Sequence, residues 1–272
     1  MNQFSDLPPV HNEFITTSVE KLKEDIRILG VGAGGSFVLG RMDEFSDLDL
    51  VLYVDPEYYQ DVLNERKKIA KNIGPLLESF TGEHVGEPRL LVCLFGPPLL
   101  HVDLKFVSLN DIADRVEDPI ILWERQNIVS DRQNKTESEF PGPDPDWIEH
   151  RFWIWIHYLA QKIGRGELFE VIDGLSFIRG NVLGPMILQQ AGARPQGVRR
   201  IEQYGFDYTE NLKRTVPLYN ESSCLSSLDE TIKLYCELRG KIRQDKKYSL
   251  PSKVEDEALQ YLEEIKHRIE TK

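Results

Sequence analysis

Apolar and polar residues alternate most regularly between residues 48 and 54, where the sequence reads LDLVLYV. A period of two is typical of a β-strand that buries one face. Apolar segments at 26–32, 89–95 and 99–107 predict three further strands. The Gly-Pro-Pro sequence between the last two segments predicts that they form an antiparallel hairpin. The first half of the chain therefore predicts a sheet with flanking helices.

The second half of the chain has the 3.6-residue period of amphipathic helices. A polar, proline-rich linker at 136–145 precedes it. Asp146 and Glu149 predict a capping box at the start of the first helix. A second helix begins near Glu167, and Pro185 predicts a kink or an end to it. The predicted fold class is α+β, a mixed sheet with flanking helices followed by an all-α C-terminal helical bundle.

Composition and charge narrow the function classes. The 272 residues carry a net charge of −12, which disfavours a nucleic-acid partner because phosphate backbones are bound by basic surfaces. The three cysteines, Cys93, Cys224 and Cys236, have no metal-ligand spacing and favour a reducing compartment. The N-terminus lacks the pattern of a signal peptide, and no apolar run approaches the ~20 residues that cross a bilayer. We therefore expect a cytoplasmic protein without a membrane partner.

Carboxylates interrupt the strand pattern on one face. Asp47 and Asp49 lie two residues apart at the beginning of the 48–54 strand, so their side chains point to the same side of the sheet. Asp103 stands in the same way within the alternating segment 99–107. Like charges at such positions repel unless a cation lies between them, and oxygen ligands of this kind suit Mg²⁺. We predict a metal site of Asp47, Asp49 and Asp103.

A glycine-rich turn precedes these carboxylates. Gly34, Gly35 and Ser36 stand between the first predicted strand and a short helix, where backbone N–H groups can bind a phosphate and Ser36 can add a hydroxyl donor. Lys105 follows Asp103 by two residues on the same face. Its ammonium group is either a phosphate ligand or a solvated neighbour, and we include it among the predicted nucleotide-binding residues.

Together these residues form the pattern Gly35-Ser36-x3-Gly40-x5-Ser46-Asp47-Leu48-Asp49-Leu50. The pattern resembles the signature of the nucleotidyltransferase superfamily, whose fold is DNA polymerase β-like. Within it, residues 25–190 resemble the antibiotic nucleotidyltransferases, especially those of the aminoglycoside 6-adenylyltransferase (streptomycin) type. The resemblance implies a nucleotidyltransferase domain over 1–135, the linker 136–145 and a helical substrate-binding domain over 146–272.

The resemblance also implies a role for each matching residue. Gly35 and Ser36 would bind the triphosphate of ATP, Asp47 and Asp49 would hold Mg²⁺, and Asp103 would be a third ligand or the general base. All three aspartates would thus be catalytic. A metal-bound carboxylate is a poor proton acceptor, so Glu167 and Asp173 in the helical half stay open as alternative bases. His101 is more readily explained as a structural or exposed residue than as a base.

The implied reaction transfers AMP from ATP to a hydroxyl group of a small molecule and releases pyrophosphate. A cationic, aminoglycoside-like antibiotic is the expected acceptor, since amines are attracted to a cleft lined with carboxylates. An alternative is a regulatory or antitoxin-type module of the same fold that binds or modifies a protein. An RNA-directed nucleotidyltransferase is a further alternative, disfavoured by the negative charge.

Overall fold

One mixed sheet organises the first of two compact units, Met1–Phe140 and Pro141–Lys272. The computed structural model describes residues 7–243 and 252–271. The division between the units lies inside the predicted linker 136–145. The six strands are β1 Ile28–Ala33, β2 Leu48–Val54, β3 Leu76–Gly82, β4 Glu87–Phe95, β5 Leu100–Ser108 and β6 Ile120–Glu124.

The strands lie in the spatial order β3-β4-β5-β2-β1-β6. β2 and β5 are parallel neighbours, whereas every other neighbouring pair is antiparallel. The antiparallel pairing of β4 with β5 confirms the hairpin predicted around Gly-Pro-Pro. Because β2 and β5 point the same way, the beginnings of these two strands meet at one edge of the sheet.

Alternation along β2 and β5 separates an apolar face from a face that carries charge. Leu48, Leu50 and Leu52 are at most 1% exposed and pack in the same core as the apolar residues of β5. Helices cover this apolar face, and α1, α3 and α4 contribute to the core. The helices of this unit are α1 Pro9–Glu24, α2 Gly35–Val38, α3 Tyr59–Asn64, α4 Arg66–Ile73 and α5 Ser130–Gln133.

The opposite face of the sheet is covered only in part. Tyr53 and Val107, near the ends of β2 and β5, pack in a smaller apolar cluster with Leu109, Ile112 and Val129. Asp49 and Asp103 lie on the same face at the beginnings of these strands and are half-buried. The sheet therefore presents its carboxylates at one edge, beyond the covered part of this face.

The second unit is helical and has its own core, to which Ile156, Leu175 and Leu238 contribute with no exposed surface. This arrangement confirms the predicted fold class of a mixed sheet with flanking helices followed by a helical region. Its helices are α6 Pro145–Arg165, α7 Leu168–Ile178, α8 Gly184–Gln190, α9 Ile201–Tyr204, α10 Thr209–Arg214, α11 Glu221–Arg243 and α12 Ser252–Glu270.

The predicted capping box at the start of α6 is wrong. Asp144, not Asp146, is the N-cap residue, and its carboxylate accepts hydrogen bonds from the backbone N–H groups of Asp146 and Trp147. Glu149 is instead 8% exposed and accepts hydrogen bonds from Tyr235 at 2.6 Å and Arg239 at 3.0 Å. Pro145 at the first helical position needs no N–H partner, which favours Asp144 as the cap.

Pro185 does not end the helical stretch. A π-helical segment, Arg179–Leu183, joins α7 to α8, and Pro185 lies in the first turn of α8. The stretch Leu168–Gln190 is long and apolar enough to span a membrane by length and composition, with a mean hydropathy of 1.3. However, 56% of its most apolar window is buried inside the protein, as expected for a core helix.

Candidate active site

Asp49 and Asp103 are direct neighbours across the parallel β2–β5 ladder. Paired positions of adjacent strands place their side chains on the same face, about 5 Å apart at the backbone. Asp47 immediately precedes β2 and is half-buried, as are the other two aspartates. The structure therefore brings all three predicted carboxylates to the same edge of the sheet.

The glycine-rich turn lies against this edge from the other side of β2. Gly34 follows β1, and its N–H donates a hydrogen bond to the backbone carbonyl of Asp49 at 2.8 Å. Gly35 has a φ of +57°, and a Cβ atom there would lie 1.9 Å from Oδ2 of Asp49. Both the backbone conformation and the close contact require glycine at position 35. The predicted phosphate-binding turn and the predicted metal ligand Asp49 are thus in direct contact.

Ser36 is the second residue of the four-residue helix α2. Its hydroxyl donates a hydrogen bond to the sulfur of Met42 at 2.9 Å. A thioether is a weak acceptor, so this contact is easily exchanged for one with a phosphate oxygen. The position of Ser36, directly after Gly35, is compatible with the predicted role of its hydroxyl.

Lys105 forms an ion pair with Glu87 of β4, with 2.8 Å between its Nζ and a carboxylate oxygen. Glu87 also accepts a hydrogen bond from Arg89 at 2.7 Å. Burial raises the pKa of Glu87, but the hydrogen bonds from Arg89 and Lys105 outweigh it and lower that pKa to about 2. In this structure Lys105 is thus bound to Glu87, and its role in nucleotide binding stays a prediction.

His101 contacts the third aspartate. Its Nε2 lies 3.1 Å from Oδ1 of Asp103, and 52% of its side chain is exposed. Cys93 lies nearby on β4, where its backbone pairs with Val102. Burial and the charge of Asp103 raise the pKa of Cys93 to about 12, so its thiol stays protonated at neutral pH and is not a candidate nucleophile.

The donor set at this edge suits a hard cation. Among residues 7–243 and 252–271, no three His, Cys, Asp or Glu side chains are grouped closely enough to hold a metal ion by themselves. Mg²⁺ does not need such a group, since it usually takes one or two carboxylates and completes its shell with water and phosphate oxygens. The Asp47 and Asp49 pair fits that requirement. The three-residue metal set that includes Asp103 stays a prediction.

Glu117 is a residue of this edge that the sequence pattern does not reveal. The N–H of Gly35 donates a hydrogen bond to Oε1 of Glu117 at 3.0 Å, across 82 positions of sequence. A Cβ atom on Gly34 would lie 2.6 Å from the same oxygen. Glu117 belongs to the irregular segment that precedes β6, so no periodicity marks it. Its carboxylate thus accepts a hydrogen bond from the N–H of Gly35, the group that the sequence pattern predicts to bind a phosphate.

The two alternative bases lie in the helical unit. Glu167 forms ion pairs with Lys162 at 2.5 Å and Arg165 at 2.7 Å. This arrangement is that of a structural acid at the start of α7. Asp173 is exposed on α7. Trp153 is 1% exposed and belongs to the core, whereas Trp155 is partly exposed beside Phe177.

Residues 15–81 match the family model of the nucleotidyltransferase domain, which confirms the predicted resemblance. No curated protein sequence matches the chain significantly. The chain is similar to the crystal structure of an aminoglycoside 6-adenyltransferase from Bacillus subtilis, at 17% identity and a TM-score of 0.42, over 93% of this chain and 97% of that one. It is also similar to a nucleotidyltransferase-like protein from Exiguobacterium sibiricum, at 14% identity and a TM-score of 0.38, over 88% and 81% of the two chains.

Proposed function

Because residues 15–81 carry a nucleotidyltransferase domain, we propose that the protein is a Mg²⁺-dependent adenylyltransferase. It moves AMP from ATP to a hydroxyl group of a small cationic molecule of the aminoglycoside type and releases pyrophosphate. The observation that carries the proposal is the position of Asp49, which lies against Gly35 and is paired with Asp103 at one edge of the sheet. The reaction needs this combination of a phosphate-binding turn with adjacent carboxylates.

The nucleotide-binding residues of the proposal lie on the β1 side of the site. Gly35 would contribute its backbone N–H after exchanging the carboxylate of Glu117 for a phosphate oxygen, and Ser36 would contribute its hydroxyl. Lys105 would add a positive charge after exchanging Glu87 for a phosphate. Asp47 and Asp49 would hold Mg²⁺, which supplies charge neutralisation for the phosphates.

The transfer itself is an in-line displacement at the α-phosphorus. The acceptor oxygen forms a bond to the α-phosphorus, the bond from that phosphorus to the β-phosphate oxygen breaks, and pyrophosphate leaves with the electron pair. The acceptor proton passes to Asp103 or, through it, to solvent. Nε2 of His101 lies 3.1 Å from one oxygen of Asp103 and would restrict the orientation of that carboxylate. The chain contributes mainly orientation and electrostatic stabilisation.

Charge supports a cationic acceptor. The protein carries 45 acidic and 33 basic side chains, and the proposed site is itself lined with carboxylates. Such a cleft raises the local concentration of amine-bearing molecules. The same surface repels nucleic acid, in agreement with a small-molecule acceptor. We expect the protein to act in the cytoplasm, where ATP is present.

The proposal is tested by measuring pyrophosphate release from ATP and Mg²⁺ with a panel of aminoglycosides and lincosamides. We expect release with at least one aminoglycoside, and mass spectrometry should find that acceptor heavier by one AMP. The Asp49→Asn variant is the negative control. If no member of the panel gains a nucleotide while the protein remains folded, the proposed acceptor class is wrong.

A further inference from the structure

We propose that a pocket beside Asp47, within the first unit, is the acceptor subsite and takes a small organic cation with apolar ring faces. This assignment rests on the proposed function. The pocket has a volume of about 530 Å³ and lies between the start of α1, the turn that precedes β2 and the start of β5. A volume of this size is typical of sites for small molecules.

Large apolar side chains at the rim of the pocket are unusually exposed. Phe45, in the turn before β2, is 88% exposed, and Leu99, before β5, is 70% exposed. Neither side chain adds to the core of the unit. Both line the same pocket, so the two exposed groups face a common space rather than being scattered. Apolar groups facing one concave space are typical of a ligand site.

The pocket also has charged and polar walls. Glu44 and Asp47 line it with carboxylates, and His101 lines it on the β5 side. An apolar rim combined with two carboxylates fits a ligand that presents ring faces to Phe45 and Leu99 and protonated amines to the acids.

A buried histidine gives the pocket a second ligand-directed feature. His11 is 3% exposed, and its Nε2 donates a hydrogen bond to the carbonyl of Ser46 at 2.7 Å. Its Nδ1 is buried without a hydrogen-bond partner among the described residues. An unsatisfied buried nitrogen is costly, and a ligand N–H or O–H reaching it would remove that cost. His11 therefore fixes the turn before Asp47, and the same residue lines the pocket.

The order of the strands assigns the pocket to the acceptor rather than to the leaving group. The edge runs from β5, through β2, to β1, and the pocket is lined at this edge by the turn before β2 and by the start of β5, including His101. The turn at Gly35, which follows β1, lies on the other side of β2. In-line displacement requires the attacking hydroxyl and the departing pyrophosphate on opposite sides of the phosphorus. A triphosphate bound at Gly35 therefore leaves the β5 side for the acceptor.

The test measures two affinities separately by calorimetry on the full chain. Streptomycin is the cationic probe, and a non-hydrolysable ATP analogue with Mg²⁺ is the nucleotide probe. Phe45→Ala and Glu44→Gln each should weaken streptomycin binding about three- to fivefold and leave nucleotide binding within about twofold. Phe80→Ala and Glu57→Gln are matched controls, because both side chains are exposed in the same unit and line no part of this pocket.

Each other outcome has a defined meaning. If Phe45→Ala and Glu44→Gln weaken nucleotide binding instead, the pocket holds the nucleoside and the inference is overturned. Equal affinities in all variants, or equal losses in the two controls, overturn it as well. If the wild-type protein binds the nucleotide but not streptomycin, the acceptor subsite is wrong while nucleotide binding stands. If it binds neither probe, the proposed function fails together with the subsite.

Discussion

Asp49 and Asp103 occupy directly paired positions of the neighbouring parallel strands β2 and β5. Carboxylates at such positions destabilise a sheet by mutual repulsion unless a cation lies between them. The two residues are 54 positions apart in the sequence, so only the register of the β2–β5 pairing places them opposite each other. We expect this repulsion to lower the stability of the sheet, a cost that is typical of functional sites.

Asp103→Asn should therefore separate stability from activity. The asparagine keeps an oxygen that can accept from His101 but removes the negative charge beside Asp49. We expect the free energy of unfolding to rise by about 0.2–1 kcal/mol and nucleotidyl transfer to fall by about 10²-fold or more. Urea denaturation and pyrophosphate release measure the two effects. Asp131→Asn, an exposed acid of the same unit, should change neither quantity, and a fall in stability in Asp103→Asn would contradict the account.

Gly35→Ala and Gly40→Ala form a matched pair. Gly35 and Gly40 have φ values of +57° and +60°, so an alanine is strained by about 1 kcal/mol at either position. A Cβ atom at position 40 meets no atom within 4 Å, whereas at position 35 it would meet the carboxylate of Asp49. We expect only Gly35→Ala to lose nucleotide binding in addition to stability. Thermal unfolding with and without ATP and Mg²⁺ measures stability and nucleotide binding. Equal losses of nucleotide binding in the two variants would contradict a functional role for the contact between Gly35 and Asp49.

Glu87 should make the first unit sensitive to acid. Its pKa is lowered to about 2 in the folded protein from 4.5, because Arg89 and Lys105 stabilise the carboxylate. The contribution is therefore complete above about pH 4.5 and is lost as the pH falls toward 2, on the order of 1–2 kcal/mol in all. Glu87→Gln should flatten this part of the stability curve, as followed by denaturant unfolding across that range. An unchanged slope in Glu87→Gln would show that other carboxylates cause the loss.

The helical unit depends on a buried carboxylate. Glu149 accepts hydrogen bonds from Trp153, Tyr235 and Arg239, and so links α6 to α11. Glu149→Ala leaves the hydroxyl of Tyr235 and the guanidinium of Arg239 short of a partner, so we expect a loss of about 3 kcal/mol in the free energy of unfolding. The measurement is urea denaturation of the full chain.

A surface pair in the same unit is the control for Glu149→Ala. Asp229 pairs with Lys266 at 2.8 Å, and 46% of the aspartate side chain is exposed. Asp229→Asn should cost less than about 1 kcal/mol. Comparable losses in the two variants would show that Glu149 acts as an ordinary surface acid.

The sequence predicted those elements in which a local pattern has one physical cause. β2 begins and ends where the alternation of its leucines with Asp49, Val51 and Tyr53 predicts, because one face of the strand is buried. β3 was missed because it is an edge strand with several exposed residues, so no alternation marks it. The apolar spacing of residues 59–73 is that of one continuous helix, but the chain forms two helices, α3 and α4, divided at Glu65.

The site was predictable only where its residues share a strand or a turn. Asp47 and Asp49 are neighbours in the chain, but the position of Asp103 beside them depends on the parallel pairing of β2 with β5. The contacts of Glu117 with Gly35 and of His11 with Ser46 cross 82 and 35 positions of sequence. Tertiary packing creates these contacts, and no periodicity or spacing in a single sequence encodes them.

The most direct test of the central claim is the thermal stability of the wild-type protein and of the Asp47→Asn/Asp49→Asn variant with ATP, GTP, CTP or UTP, with and without Mg²⁺. The account predicts that ATP raises the melting temperature of the wild-type protein most, only with Mg²⁺, and that the variant shows no such rise. Equal rises in both proteins, or none in either, would contradict a metal–nucleotide site at the beginning of β2.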